Sequence, residues 1–176
     1  MTITLAFDVY GTLIDTHGVV VALENHVGNK APEFSRTWRE KQLEYSFRRG
    51  LMQNYENFAR CTSDALDYTS SYFKVSLSEK DKQELLDAYK VLPAFDDAKE
   101  GLERAKKSGF RMFAFSNGSA DAVETLLTHA GIRDYFLGVV SVDEVKTFKP
   151  NPGVYCHFLR RAAATGSDAW LIEGFQ

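Results

Sequence analysis

Apolar and polar positions follow two rhythms along this chain. At the start, Ile3, Leu5, Ala6 and Phe7 make a short apolar run that drives toward a carboxylate, Asp8, and breaks at Gly11. A short β-prone run bounded by glycine predicts a buried parallel strand. Asp8 then stands at its carboxyl end, where open α/β sheets place their ligands. Gly11 lets the chain turn away sharply, and Thr12 offers a hydroxyl just after the turn. Beyond this point the spacing becomes helical. Residues 17–27 mix apolar and polar positions at helical spacing. From 34 to 58 the pattern is strongest, with Trp38, Leu43, Tyr45, Leu51, Tyr55 and Phe58 punctuated by charges and Gly50 as the one interruption. Residues 62–73 and 78–92 read as two more amphipathic helices. Ser78 is placed to cap the second, with Asp81 three residues on as an approximate capping box, and Pro93 stops it.

Alternation of strand and helix resumes after Pro93. Residues 96–108 form a helix closed by Gly109, 110–115 a strand, and 120–130 a helix with Gly131 as C-cap. Residues 135–142 hold a third strand, 152–164 a helix, and 169–172 a fourth strand. This rhythm predicts an α/β fold, a Rossmann-like parallel sheet flanked by helices. A single crossover would not take up the roughly 75 strandless residues between the first two strands. They are expected to form an inserted α-helical cap over 16–93, with the core made of 1–15 and 94–176. No internal repeat or low-complexity segment interrupts the pattern.

Composition narrows the function classes. The 176 residues are 44% hydrophobic and 26% charged, as in ordinary soluble proteins. A net charge of −3 gives no reason to expect nucleic acid as a partner. The local basic clusters (Arg48 and Arg49; Arg104, Lys106 and Lys107; Arg160 and Arg161) read as solvated helix faces. Cys61 and Cys156 make no disulfide framework and sit in no metal-ligand spacing, so reduced thiols in a cytoplasmic protein are expected. The N-terminus enters a strand without a basic region, so no signal peptide is expected. No apolar run approaches about 18 residues, so no membrane span is expected. The four histidines, His17, His26, His129 and His157, show no metal spacing and are taken as structural.

Several residues carry candidate chemistry, each with an ordinary reading beside it. Asp8 is either a turn-closing carboxylate or a reactive one. Ser116-Asn117-Gly118 follows a strand and is either a plain turn or a small anion-binding concavity. Lys149 precedes Pro150 and so lies on a loop. It is either an exposed lysine or a cation that pairs with Asp8 and holds it charged and aimed. Tyr155 on its helix suits a core position, and Arg39 on its own suits a surface one.

Taken together, these residues resemble a known family. Asp8-Val9-Tyr10-Gly11-Thr12-Leu13 after an apolar strand resembles the first motif of the haloacid dehalogenase superfamily, whose Asp is a covalent nucleophile. Most members are phosphatases with a second Asp two residues on. Here that place is Tyr10, as in the (S)-2-haloacid dehalogenase branch (type II L-2-haloacid dehalogenases). Ser116-Asn117-Gly118-Ser119 matches the second motif, Lys149-Pro150 the third, and Tyr155 a tyrosine near the branch's active site. Residues 37–46 closely resemble its cap helix.

The resemblance implies metal-independent hydrolysis of (S)-2-haloacids to (R)-2-hydroxyacids through an Asp8 ester, with no cofactor. In it, Lys149 stabilises the Asp8 charge, while Thr12, Ser116, Asn117 and the backbone of Val9 and Tyr10 hold substrate and ester oxygens. Arg39 binds the substrate carboxylate and accepts halide, an assignment suited to a permanent charge on a planar fork. Leu43 and Phe58 surround the substrate's side chain. The implied partners are a small 2-haloalkanoic acid, water and halide, without nucleic acid or membrane, and family members are often homodimers. The resemblance departs at the end. Glu173, Gly174 and Phe175 stand where the family has a Ser-Ser-Asn-like turn, and its following Asp has no counterpart, so a C-terminally truncated or atypical member is expected. Two alternatives follow from that departure, a magnesium-dependent phosphatase using Asp8 and Glu173, and a catalytically impaired scaffold.

Overall fold

In the computed structural model, residues 2–174 are described. Thr4–Phe7 forms β1, all four residues buried. A short strand buried along its whole length fits a place in the middle of a sheet with both faces covered, and β1 does lie between two neighbours. Arg111–Ser116 (β2) pairs with it on one side, Thr4 opposite Arg111. Ala169–Ile172 (β4) pairs on the other, Thr4 opposite Ala169. Gly138–Ser141 (β3) completes a four-stranded parallel sheet in the order β3-β2-β1-β4. The third strand is shorter than its apolar pattern. Residues 133–135 and 142–145 on either side of it are 3-10 turns, the second capped by the Ser141 hydroxyl accepting from the Asp143 amide at 3.1 Å.

Between β1 and β2 the described chain contains no strand. Val20–Val27 (α1), Ala31–Leu51 (α2), Phe58–Phe73 (α3) and Glu79–Ala88 (α4) follow one another, linked by short turns. Two sequence expectations fail here. Gly50 does not interrupt α2, which runs through it to Leu51. Instead, a Cβ at position 50 would stand 3.6 Å from Thr147 Oγ1 and 3.8 Å from the Phe148 amide, so the glycine fits a close pass of the helix by that loop. The helical pattern over 34–58 is also not one helix. It stops at Leu51 and restarts at Phe58, where Asn57 caps α3 by accepting from the Arg60 amide at 2.9 Å. The capping box at Ser78 and Asp81 forms as expected.

After β2 come Ala120–His129 (α6) and, past β3, Pro152–Ala162 (α7). The helix before β2 is Ala98–Lys107 (α5). One continuous apolar cluster joins the sheet to the helices between β1 and β2, from Phe7 and Phe115 to Trp38, Leu66 and Leu85. Trp38 is fully buried and its indole N–H donates to the Thr62 carbonyl at 2.8 Å, tying α2 to α3. His26 Nδ1 lies 3.7 Å from Asp81, joining α1 to α4, and His157 Nε2 lies 3.5 Å from Glu144. Among the described residues, no helix is long and apolar enough to cross a membrane.

Candidate active site

The chain leaves β1 at Asp8 and turns at once. The Val9 carbonyl accepts from the amides of Thr12, Leu13 and Ile14, and Gly11 takes φ +88°, a left-handed conformation that glycine adopts without a Cβ clash. This tight turn folds Thr12 back, so that its hydroxyl donates to Asp8 Oδ2 at 3.2 Å. The same oxygen of Thr12 accepts from the Gly174 amide at 2.8 Å.

The other carboxylate oxygen, Asp8 Oδ1, receives Lys149 Nζ at 2.5 Å. The Lys149 side chain is only 7% exposed and that of Asp8 13%. A buried ammonium is costly unless paired and hydrogen-bonded. Lys149 Nζ meets that requirement by also donating to the Phe115 carbonyl at 3.2 Å, and it lies 5.1 Å from the centre of the Phe115 ring. Its backbone is fixed as well. The Lys149 amide donates to Asn117 Oδ1 at 3.0 Å. Ser116 Oγ accepts from the Gly118 amide at 3.1 Å, shaping the turn after β2. A Cβ on Gly118 would approach Tyr10 Cε2 to 3.3 Å, which explains the glycine.

Opposite these residues stand α2 and the start of α3. A cavity of about 290 Å3 separates the two sides, and its wall includes Asp8, Tyr10, Arg39, Leu43, Phe58, Ser116, Asn117, Lys149 and Tyr155. Nine of the eleven residues singled out from sequence therefore meet at one place. The other two lie outside the wall. Thr12 supports Asp8 from the turn, and Val9 is fully buried. Arg39 projects from α2, with Nη2 donating to the Tyr10 carbonyl at 2.8 Å and Nη1 to Gln42 Oε1 at 2.6 Å. The Tyr10 ring lies 5.6 Å from that of Phe58. Burial, then the neighbouring Tyr89, push the Tyr10 phenol well above its ordinary range. Tyr155 is likewise raised, first by burial and then by the Glu173 and Asp8 carboxylates. Both phenols thus stay protonated at neutral pH and offer hydrogen-bond donors, not charges.

The wall also holds Phe47, Pro150, Glu173 and Gly174. Phe47 was legible in principle, since it continues the Arg39 and Leu43 face of α2 at four-residue spacing. Glu173 comes within 4.0 Å of Lys149 Nζ, but its side chain is half exposed. Phe175 lies outside the described residues.

This arrangement places a carboxylate beside an ammonium at the bottom of a cavity, with a guanidinium on its far wall. It can hold a small anion and present a charged oxygen nucleophile to it. Residues 4–173 match the sequence model of the haloacid dehalogenase-like hydrolases. The chain belongs to that family. Within it, the (S)-2-haloacid dehalogenase of Pseudomonas sp. strain YL is 39% identical over 151 residues, covering 86% of this chain and 65% of the relative. The (S)-2-haloacid dehalogenase of Pseudomonas putida gives 39% over 151 residues and 66% of its length. The chain thus spans about two thirds of the length of these relatives. Among solved structures, an L-2-haloacid dehalogenase from Xanthobacter autotrophicus with chloropropionic acid covalently bound superposes with a TM-score of 0.90. It is 32% identical, covering 97% of this chain and 69% of that one. In this haloacid dehalogenase-like hydrolase the position two residues after Asp8 is the buried aromatic Tyr10, not a carboxylate.

Proposed function

We propose that this chain carries the machinery for hydrolytic dehalogenation of (S)-2-haloacids. The observation that carries the reading is the buried Asp8–Lys149 pair opening onto a cavity whose other wall presents Arg39. In this reading residues 16–93 act as a cap over a core of 1–15 and 94–176, and the substrate lies between them. Its carboxylate meets Arg39 together with the Ser116 and Asn117 groups, while Leu43 and Phe58 enclose its alkyl side.

Asp8 attacks C2 in line; the C2–halogen bond breaks, halide leaves with its electron pair, and an ester joins Asp8 to C2. Splitting one difficult displacement into two steps is the gain from covalent catalysis. Lys149 balances the nucleophile's charge, and Thr12 holds its second oxygen. Water then attacks the ester's carbonyl carbon on Asp8, the acyl C–O bond breaks, and a 2-hydroxyacid of inverted configuration departs. No phosphate is involved, so no magnesium is required to shield one. The supporting relatives bear dehalogenase names, and one solved relative carries chloropropionic acid as a covalent adduct. A cytoplasmic location and a homodimer belong to the same reading.

The test is halide release from (S)-2-chloropropionate with excess chelator, using wild type and Asp8→Ala. Chelator-resistant release that vanishes in the variant is the expected result. A folded wild type that releases no halide overturns the reading.

A further inference from the structure

Arg39 is held by a second layer of residues that the proposed chemistry leaves unused. Gln42 follows it by three residues on α2 and is 1% exposed. Gln42 Oε1 accepts from Arg39 Nη1 at 2.6 Å and from the Tyr89 hydroxyl at 3.2 Å. Its Nε2 donates to Thr62 Oγ1 at 2.5 Å. Thr62 in turn donates its own proton to the Phe58 carbonyl at 2.9 Å, so it faces Gln42 only as an acceptor. The amide orientation is therefore fixed from both ends. A guanidinium can only donate, which puts the glutamine oxygen toward Arg39 and its nitrogen toward Thr62.

Charge makes this arrangement informative. The Arg39 contacts, with the Tyr10 carbonyl, the Gln42 amide and the Tyr89 hydroxyl, are all with neutral oxygens. Among the described residues no carboxylate forms an ion pair with Arg39, although the rest of α2 is rich in them, as at Lys41–Glu44. Arg39 Nε is buried and has no hydrogen-bond partner. The guanidinium is thus anchored in place by neutral groups, with no carboxylate paired to it among the described residues.

We propose that Gln42 is a positioning residue that aims Arg39 at the cavity with a neutral acceptor, reserving the cation for a carboxylate ligand, with Tyr89 and Thr62 fixing Gln42 itself. A glutamate here would keep the acceptors that face Arg39 and Tyr89. It would also form a charge-assisted hydrogen bond with Arg39 and offset its positive charge. This inference rests on the reading of Arg39 as the substrate's carboxylate partner, but its ligand test does not need turnover.

The experiment measures propionate binding by calorimetry, and kcat and KM for (S)-2-chloropropionate, in wild type, Gln42→Glu and Gln42→Met. Thermal melts establish folding. Gln42→Glu is expected to weaken propionate about tenfold or more and to raise KM in parallel, as losing a charge partner does. Gln42→Met, which keeps the Arg39 charge but loses one anchor, is expected to weaken binding only about two- to fivefold. A purely structural glutamine gives the reverse order, because Glu preserves more of the hydrogen bonds than Met. Gln42→Glu binding propionate as tightly as wild type, or a wild type that binds none, overturns the proposal. Normal propionate ranking without halide release would sink the dehalogenase reading and leave this one standing. If the Gln42 variants do not fold, Tyr89→Phe carries the test. About a two- to fivefold loss of propionate affinity is expected from removing its hydroxyl, and no loss overturns the network.

Discussion

Lys149 is almost sealed from water, and its charge is tolerated because Asp8 lies 2.5 Å away. Removing one member of such a pair leaves the other buried and uncompensated. Lys149→Met is therefore expected to lower the rate of halide release by about a thousandfold, the scale seen when a preorganised charge partner is deleted. Lys149→Arg should recover little of it, since a planar fork cannot replace a point charge in this slot. Single-turnover halide release from both variants checks the ranking. At this scale much was legible in the chain. Asp8, Ser116, Asn117 and Lys149 each lie one to three residues before a glycine or proline that marks the end of a strand or a loop, which confines where they can be. Gln42 was not legible. It lies among charged residues on a helix, and only the packing of Thr62 and Tyr89 against it reveals that it is buried.

The segment between α2 and α3 shows why element boundaries were harder. Residues 52–57 contain neither glycine nor proline, and Tyr55 falls in step with the helical pattern before it. Its ring is used elsewhere. It packs 5.0 Å from Phe148, and its hydroxyl donates to Asp143 in the turn after β3. A contact distant in sequence thus overrides a local helical preference. That hydrogen bond, and then Lys146, hold the Asp143 carboxyl below its ordinary range. A depressed carboxylate binds fewer protons folded than unfolded, so its stabilisation is present above about pH 4 and lost as pH falls below it. Tyr55→Phe is expected to cost about 1 kcal/mol at pH 7 and to flatten the decline in stability toward low pH. Urea unfolding at neutral and acidic pH measures both effects. Asn57→Ala, which removes the cap of α3, is expected to cost about 1 kcal/mol in the same assay, independent of Asp143.

Across the whole molecule, the alternation of strand and helix announced a parallel sheet, but not its order, because the strand pattern is silent about which neighbour each strand takes. The order β3-β2-β1-β4 leaves β4 at an edge among the described residues, with Trp170 63% exposed beside Leu171 and Ile172. Exposed apolar edges favour association between sheets. Trp170→Lys is expected to lower concentration-dependent light scattering while leaving the melting temperature nearly unchanged, and equal scattering would contradict this. The central place of β1 also sets a timetable on the ribosome. β1 waits for its neighbour Arg111–Ser116, about a hundred residues later, which takes on the order of 5–20 s at the usual pace of synthesis. Helices of the intervening segment form in microseconds, so for nearly all of that interval the nascent chain is a set of helices trailing an unpaired apolar strand. Asp8 is translated 141 residues before its lysine, so its reactivity is withheld until that lysine has been made.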